Sequence, residues 1–198
     1  WKIMALPKLE TKTYTLTFPS TGKDIQYRPF LVKEQKTLLL AQESEDEKEI
    51  MNAVAALIET CTFGKVDVHK CPLFDAEYIF LRVRGKSVGD KVDLVATCPD
   101  DKETKVNFTL DLNDIQVQMT DEHTNTVEIN DDVKMVLNYP ILSSTTAYAK
   151  DQRADIMFDV VRDCVSEIHF GGDIYNKVDM SNKELNDFIW HIYFIVYI

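Results

Sequence analysis

Cysteine and histidine are the residues that would give this chain metal or nucleophilic chemistry. The cysteines are Cys61, Cys71, Cys98 and Cys164, which lie far apart without any Cys-x-x-Cys pair. A structural zinc site needs four ligands, usually in two close pairs. Asp101 and Lys102 stand after Cys98, where a second ligand would be expected. We therefore predict no bound metal and no cofactor, and we expect reduced thiols in a chain large enough to build its own core.

Sequence motifs for catalysis are missing as well. The chain contains no Gly-x-Ser-x-Gly elbow, no glycine-rich phosphate loop and no EF-hand. The histidines lie in four separate segments, at His69, His123, His169 and His191. We predict that the chain is not an enzyme. The alternative from a different class is a zinc-binding or enzymatic protein whose site forms only on folding, for instance from His69, Cys71, Cys98 and His123.

Acidic residues outnumber basic ones in this chain of 198 residues. The 33 Asp and Glu residues against 22 Lys and Arg residues give a formal net charge of -11. Such a charge repels phosphate backbones, so we do not expect nucleic-acid binding. We expect a basic protein partner instead. The hydrophobic content of 45% is typical of a folded globular protein.

Both ends of the sequence are unusual. Met4 is the expected natural start, and no secretory signal peptide is expected. Residues 188–198 are apolar except for His191, but eleven residues are too few to cross a bilayer, which needs about 20. Three alternatives stay open for this segment: a last helix or strand packed into the core, a partner-docking segment, or an altered tail from Trp190 onward.

Period-two alternation of apolar residues predicts strands in two hairpins. One hairpin joins residues 14–18 to residues 25–27 through a Pro-Ser-Thr-Gly turn, and the other joins residues 92–97 to residues 106–110. Two further strands are expected at residues 127–129 and 133–137. We predict that they assemble into a mostly antiparallel sheet.

Helical spacing of apolar residues predicts several amphipathic helices. The first begins at Phe30, and the second follows a capping box formed by Ser44 and Glu47. The remaining helices are expected after Pro72, over residues 155–166, and after a capping box at Ser181 and Glu184. The fold class is therefore α+β. Residues 4–140 are expected to form an α+β core domain and residues 141–198 a helical C-terminal section.

An ordered series of packing and turn motifs resembles a known family. The motifs are Tyr-Arg-Pro-Phe-Leu-Val-Lys-Glu-Gln-Lys at residues 27–36, Glu-Ser-Glu-Asp-Glu at 43–47, Leu-Phe-Asp-Ala-Glu-Tyr-Ile-Phe-Leu at 73–81 and Arg-Val-Arg-Gly-Lys-Ser-Val-Gly at 82–89. They resemble the baseplate hub proteins of T4-like contractile-tailed bacteriophages over about residues 5–187. None of the motifs is catalytic.

The resemblance implies a part in tail assembly through protein contacts. It implies a baseplate hub component that binds other hub or tape-measure proteins, in the host cytoplasm during assembly and in the virion tail afterwards. The alternative within the same resemblance is a transient assembly chaperone for a hub or tape-measure protein.

The predicted helices over residues 30–42 and 74–84 each display an apolar stripe beside charged residues. They are our candidates for partner contact. Most of each stripe is expected to be core, with a few residues left exposed as anchors, since few residues carry most of the binding energy of an interface. The candidate partner-binding residues are Tyr27, Phe30, Phe74, Tyr78, Arg82 and Arg84. For both arginines, internal pairing with acidic groups is the competing expectation.

Overall fold

The computed structural model describes residues 11–120, 122–142 and 154–197 of the chain. The chain divides into two compact units. Among the described residues, unit 1 contains residues 11–68 and 74–117, and unit 2 contains residues 69–73 together with those from residue 118 onward.

Unit 1 begins with the first predicted hairpin. Strands β1 (Tyr14–Thr17) and β2 (Asp24–Tyr27) pair antiparallel, with Leu16 opposite Ile25. The turn is closed by hydrogen bonds from the Phe18 N–H to the Lys23 carbonyl and from the Gly22 N–H to the Phe18 carbonyl, each 2.8 Å long. Gly22 has a φ of 66°, a left-handed conformation in which a side chain would be strained.

Two helices follow the first hairpin. Helix α1 (Val32–Glu43) and helix α2 (Glu47–Cys61) are joined by a short polar loop. The Asp46 carboxylate caps α2 by accepting the Lys48 N–H at 2.8 Å. The predicted cap, Ser44, instead ends α1, where its N–H donates to the Leu40 carbonyl at 3.2 Å. The expectation of a capping box at Ser44 is therefore wrong, because α2 starts nearer to Asp46.

The third helix leads into the second predicted hairpin. Helix α3 (Leu73–Val88) buries Ala76, Ile79 and Val83, which recur at helical spacing. Strands β3 (Lys91–Thr97) and β4 (Lys105–Asp111) then pair antiparallel in a two-stranded sheet of their own. Both the helix and the hairpin confirm the sequence-based prediction.

Unit 2 is built on one four-stranded antiparallel sheet. Its strands lie in chain order: β5 (Thr126–Asn130), β6 (Val133–Leu137), β7 (Val165–Phe170) and β8 (Asp173–Asn176). Its helices are α4 (Ala154–Cys164), a 3₁₀ turn (Lys177–Asp179) and α5 (Asn182–Tyr197). The core packs β6, α4, β7 and α5 together through Met135, Phe158, Val165, Ile168, Leu185 and Ile189.

Helix α5 starts at the predicted capping box. The Glu184 carboxylate accepts the Ser181 N–H at 2.8 Å and the Ser181 hydroxyl at 2.6 Å, and the Glu184 N–H donates back to that hydroxyl oxygen at 3.3 Å. The helix then continues through residue 190, where the Trp190 ring lies 4.3 Å from the Phe158 ring between centroids. Ile189 is buried. Up to Ile192, the end of the chain is thus a helix packed on the core, the first of the three alternatives.

The α+β class and the antiparallel pairing are confirmed, but the section after residue 140 is not purely helical. The helix expected over residues 155–166 ends at Cys164, and β7 starts at the next residue. Gly171 and Gly172 form the turn between β7 and β8 instead of merely ending a helix. Because β6 pairs with β7, strands from both sides of residue 140 share one sheet. The division of the chain into a core domain over residues 4–140 and a C-terminal section over residues 141–198 stays a prediction.

No helix in residues 11–120, 122–142 and 154–197 is both long enough and apolar enough to span a membrane.

The core of unit 2 allows a matched test. Val165 is fully buried in the sheet, whereas Val178 in the 3₁₀ turn is 90% exposed. We expect Val165→Ala to lower the free energy of unfolding by about 2 kcal/mol, because it removes two buried methyl groups and leaves a cavity. Val178→Ala should change it by less than about 0.5 kcal/mol. Urea denaturation followed by circular dichroism measures both, and equal losses would contradict the described core.

Candidate partner-binding surface

The first candidate anchor, Tyr27, lies in the core of unit 1. It is only 3% exposed, and its ring lies 5.7 Å from the Tyr14 ring between centroids. Burial is the main cause that raises the pKa of its hydroxyl. Phe30, Phe74 and Tyr78 are half-buried. Tyr27 therefore offers no accessible surface, while a partner-binding role for the other three stays a prediction.

Arg82 is held inside unit 1, although its partners are not acidic groups. Its guanidinium donates to the carbonyl of Leu112 at 2.9 Å, to the carbonyl of Ile115 at 2.7 Å and to the hydroxyl of Tyr78 at 2.8 Å. It also lies over the Tyr78 ring, 4.6 Å from its centroid. These bonds tie α3 to the chain that leaves β4, so Arg82 fixes the base of the second hairpin.

Arg84, two residues further along α3, is held differently. It is half-buried, and its Nη1 atom is buried without any hydrogen-bond partner in the part of the chain that the structure describes. A buried donor without an acceptor costs about 1–3 kcal/mol. The two arginines, which are equivalent in the sequence pattern, therefore have opposite energetic roles in the fold.

An ion pair joins β2 to the start of α1. The Glu34 carboxylate accepts from Arg28 Nη2 at 2.6 Å, from Arg28 Nη1 at 3.0 Å and from the Leu31 N–H at 2.6 Å. The bond from Arg28 is the main cause that lowers the pKa of Glu34. The Arg28 N–H in turn donates to the Cys61 carbonyl at the end of α2, at 3.0 Å. One glutamate thus caps α1 and connects it to the strand before it.

This connection decides which side of α1 faces inward. Glu34, Leu38 and Ala41 lie on one side of the helix, and they are half-buried or buried. The apolar residues on the remaining surface are exposed, at 82% for Val32, 51% for Leu39 and 56% for Leu40. The expectation that the apolar stripe of this helix is mostly core is therefore wrong. We refer to Val32, Leu39 and Leu40 as the α1 face.

The junction of α1 and α2 is strongly acidic. From the last residue of α1 to the first turn of α2, it carries the exposed acids Glu43, Glu45, Asp46, Glu47 and Glu49. Lys48 is the only basic residue in that stretch. The C-terminal end of the α1 face therefore combines uncovered apolar side chains with negative charge, while Lys33 and Lys36 are exposed basic residues nearer its start.

The residues proposed for metal or nucleophilic chemistry are not assembled into such a site. In residues 11–120, 122–142 and 154–197, no group of three or more His, Cys, Asp or Glu side chains is placed to hold a metal ion. The alternative ligand set of His69, Cys71, Cys98 and His123 is thus not brought together, and the ring of His123 stacks on Tyr139. Burial raises the pKa of Cys61 to about 11, which keeps that thiol protonated.

A pocket of about 690 Å³ in unit 2 has one thiol and two lysines in its lining. Its lining includes Lys70, Tyr139, Cys164 and Lys177. Burial raises the pKa of the Cys164 thiol. The Lys177 ammonium donates to the backbone carbonyls of Arg162 at 3.0 Å and Asp163 at 2.6 Å, so it has a structural role.

The lowered pKa of Glu34 predicts a loss of stability in acid. A carboxylate whose pKa is depressed by folding stabilises the folded state above its ordinary value of 4.5, and this contribution is lost as the pH falls through the folded pKa. We expect Glu34→Gln to lower the free energy of unfolding by about 1–2 kcal/mol at pH 7 and to narrow its difference from the wild type as the pH falls below 4.5. Urea denaturation at several pH values, followed by circular dichroism, measures this.

The matched control for that experiment is Glu77→Gln, which changes an exposed glutamate of α3. It should follow the wild type at every pH. A constant gap between Glu34→Gln and the wild type down to pH 2 would show that the ion pair does not contribute through its charge.

Replacing each of the two arginines of α3 by methionine should change the free energy of unfolding differently. Arg82→Met keeps most of the apolar stem but leaves the Leu112 and Ile115 carbonyls without their donor, so we expect a loss of about 2 kcal/mol in the free energy of unfolding. Arg84→Met removes a donor that has no acceptor, so we expect no loss or a gain of up to about 1 kcal/mol. Urea denaturation of both variants tests this, and equal effects would contradict the described contacts.

Comparison with known proteins agrees with the sequence-based resemblance. The family model described as T4 bacteriophage base plate protein matches residues 11–194, which include parts of both units. No curated protein and no solved structure matches the chain. A base plate family implies a structural role in the virion tail and contact with other phage baseplate proteins. The chain belongs to the T4 bacteriophage base plate protein family.

Proposed function

We propose that the chain is a non-enzymatic component of the baseplate hub, and that it takes part in tail assembly by binding other hub proteins or the tape-measure protein. The family match over residues 11–194 supports a role in the baseplate. The resemblance of residues 27–36 and 73–89 to hub proteins supports the position in the hub. The observation that carries the mechanism is the uncovered apolar α1 face.

The α1 face has the properties of a helix that enters a groove. Leu39 and Leu40 lie two turns after Val32, so all three can reach one apolar groove on a partner. Fully burying a leucine or valine side chain stabilises by roughly 1.5–3 kcal/mol. Three such residues are enough to serve as the central anchors of an interface, because few residues carry most of the binding energy.

The charge beside the α1 face selects the kind of partner. The acids at the junction of α1 and α2 would lie at one end of the occupied groove, where they attract lysine and arginine side chains. A partner with an apolar groove and basic residues at its end fits both features. The same charge disfavours a second copy of a chain whose formal charge is -11.

In this proposal the chain meets its partners in the host cytoplasm and stays in the finished tail. A transient assembly chaperone would use the same surface and then leave. The deciding experiment is quantitative mass spectrometry of purified virions and of complexes captured from infected cells with a tagged copy of the chain. A fixed ratio to other baseplate proteins in virions is the result that we expect.

Two other results would each overturn part of the proposal. Recovery only from lysate, bound to hub or tape-measure proteins, would identify a chaperone. Recovery with neither virions nor baseplate proteins would exclude the hub role altogether.

Substitutions in α1 connect this experiment to the proposed surface. In phage lacking the gene and complemented with variants, we expect Leu39→Ser/Leu40→Ser to lower incorporation into virions at least about tenfold, because it removes two anchors. The matched control, Thr37→Ser/Gln42→Ser, changes two exposed polar residues of the same helix that lie outside the α1 face, and it should stay within about twofold of the wild type. Circular dichroism of the purified variants checks that both fold, and equal incorporation of the two would rule out the α1 face.

A further inference from the structure

The hairpin of β3 and β4 has one entirely apolar side. In its register Val92 lies opposite Leu110, Leu94 opposite Phe108 and Ala96 opposite Val106. Successive side chains of a strand point to opposite faces, so these six residues share one face. We refer to the set of Val92, Leu94, Ala96, Val106, Phe108 and Leu110 as the hairpin face.

The opposite side of the same hairpin is mostly polar. There the Thr109 hydroxyl donates to the Asp93 carboxylate at 2.7 Å, and Thr97 lies opposite Lys105. Val95 is the only strongly apolar residue on that side of the two strands. The hairpin is therefore amphipathic, with a face of the kind that normally packs against a core.

The hairpin face is nevertheless exposed. Val106 is 53% exposed, Phe108 is 44% exposed and Leu94 is 38% exposed. Among the described residues, this sheet contains these two strands. A two-stranded hairpin is marginally stable by itself in water and usually needs a third strand or a helix against its apolar face. In the part of the chain that the structure describes, these three side chains are left uncovered.

The base of the hairpin is firmly attached to α3. The Leu112 N–H donates to the Asp90 carbonyl at 2.7 Å, and Arg82 binds the carbonyls of Leu112 and Ile115. Lys86 pairs with the Asp90 carboxylate at 3.0 Å. A Cβ at Gly85 would lie 2.6 Å from Asp90 Oδ1, so a side chain at this position would displace the Asp90 carboxylate from its present place beside Lys86. A hairpin held in this way is preorganised for docking, which lowers the entropy lost on binding.

The tip of the hairpin carries negative charge. Its exposed ionisable residues are Asp100, Asp101, Lys102 and Glu103, three acids against one base. The Asp101 carboxylate accepts the N–H groups of Glu103 and Thr104, each at 3.0 Å, and also the Thr104 hydroxyl. These bonds fix one of the acidic groups in place, so the tip presents a defined negative charge to a partner.

A second copy of the chain does not fit this face. Seven residues of strand at about 3.4 Å each and two strands about 4.8 Å apart give a face of roughly 240 Å². A stable interface buries about 800 Å² on each partner. Two hairpin faces would therefore be too small to hold a dimer by themselves, and each chain carries a formal charge of -11. The negative tip also disfavours phosphate groups of nucleic acids and anionic membranes.

We propose that the β3–β4 hairpin is a docking arm, and that its apolar face packs on an apolar surface of another baseplate protein whose basic residues meet the acidic tip. This inference rests on the proposed role in the baseplate. It adds a second contact surface, distinct from the α1 face, and it gives Arg82 the role of a positioning residue at the base of the arm. The acidic tip speeds association, and the apolar face adds binding energy to the contact made by the α1 face.

The same substitution, valine to serine, made separately on the apolar and the polar face of the hairpin tests the docking arm. Val106 and Val95 are both exposed valines of the same hairpin, but Val106 lies on the apolar face and Val95, at 61% exposure, on the polar face. In the complementation assay with virion mass spectrometry, we expect Val106→Ser to lower incorporation about threefold to tenfold and Leu94→Ser/Phe108→Ser at least about tenfold. Val95→Ser should stay within about twofold of the wild type. Circular dichroism and urea denaturation of the purified variants check that all of them fold.

A photo-crosslinking amino acid at position 106 or 95 then identifies what covers the hairpin in infected cells. We expect position 106, but not position 95, to crosslink to another baseplate protein, at an apolar segment with lysine or arginine nearby. Crosslinking of position 106 to a second copy of the chain, or to lipid or nucleic acid, would overturn the inference. Normal incorporation of Leu94→Ser/Phe108→Ser would also overturn it.

These results separate the inference from the proposed function. If the wild-type chain enters virions at a fixed ratio to other baseplate proteins and the hairpin variants do so equally, the docking-arm inference is wrong while the hub role stands. If the wild-type chain is found in neither virions nor baseplate complexes, the hub role itself fails.

Discussion

The ion pair between Arg28 and Glu34 is the constraint on which the arrangement of unit 1 depends. Its glutamate accepts from the guanidinium of the residue that follows β2 and from the N–H of Leu31, the residue just before α1, so the helix starts at a fixed point. Its arginine N–H is bonded to the end of α2. Because Glu34 faces inward, Leu38 and Ala41 must follow it, and Leu39 and Leu40 must turn outward. The exposed α1 face is thus a consequence of how the helix is capped, and it exists before any partner binds.

Exposed apolar surface is tolerated in this chain because charge opposes self-association. The α1 face and the hairpin face would both favour aggregation in a neutral protein. A formal charge of -11 makes copies of the chain repel one another while it favours basic partners. In the proposed role, the negative charge selects the class of partner and the apolar surface supplies the binding energy. This combination suits a protein that must stay dispersed until the right neighbours are present.

Local signals in the sequence predicted most of the elements, and non-local contacts account for the failures. The hairpins, the helix after Pro72 and the capping box at Ser181 depend on residues that are close in sequence. The sequence pattern does not predict strand β7, because no glycine or proline separates Val165 from Cys164 and the helical spacing continues past the end of α4. The segment forms a strand because it pairs with β6, which is distant in sequence. Asp46 caps α2 instead of Ser44, because both residues are suitable caps within one turn of each other and Ser44 is bonded to the end of α1.

The location of the contact surfaces could not be predicted, for a related physical reason. Large apolar residues such as Tyr27 are equally suited to a core and to an interface, and only the presence of a covering layer distinguishes the two. An amphipathic hairpin in most domains packs its apolar side on a second layer of the same chain. Here β3 and β4 form a separate sheet, and Phe108 and Val106 stay exposed. In the proposed assembly the missing layer is part of another protein. The amphipathic pattern of the hairpin, which normally indicates a core within one chain, would then indicate a core shared between two proteins.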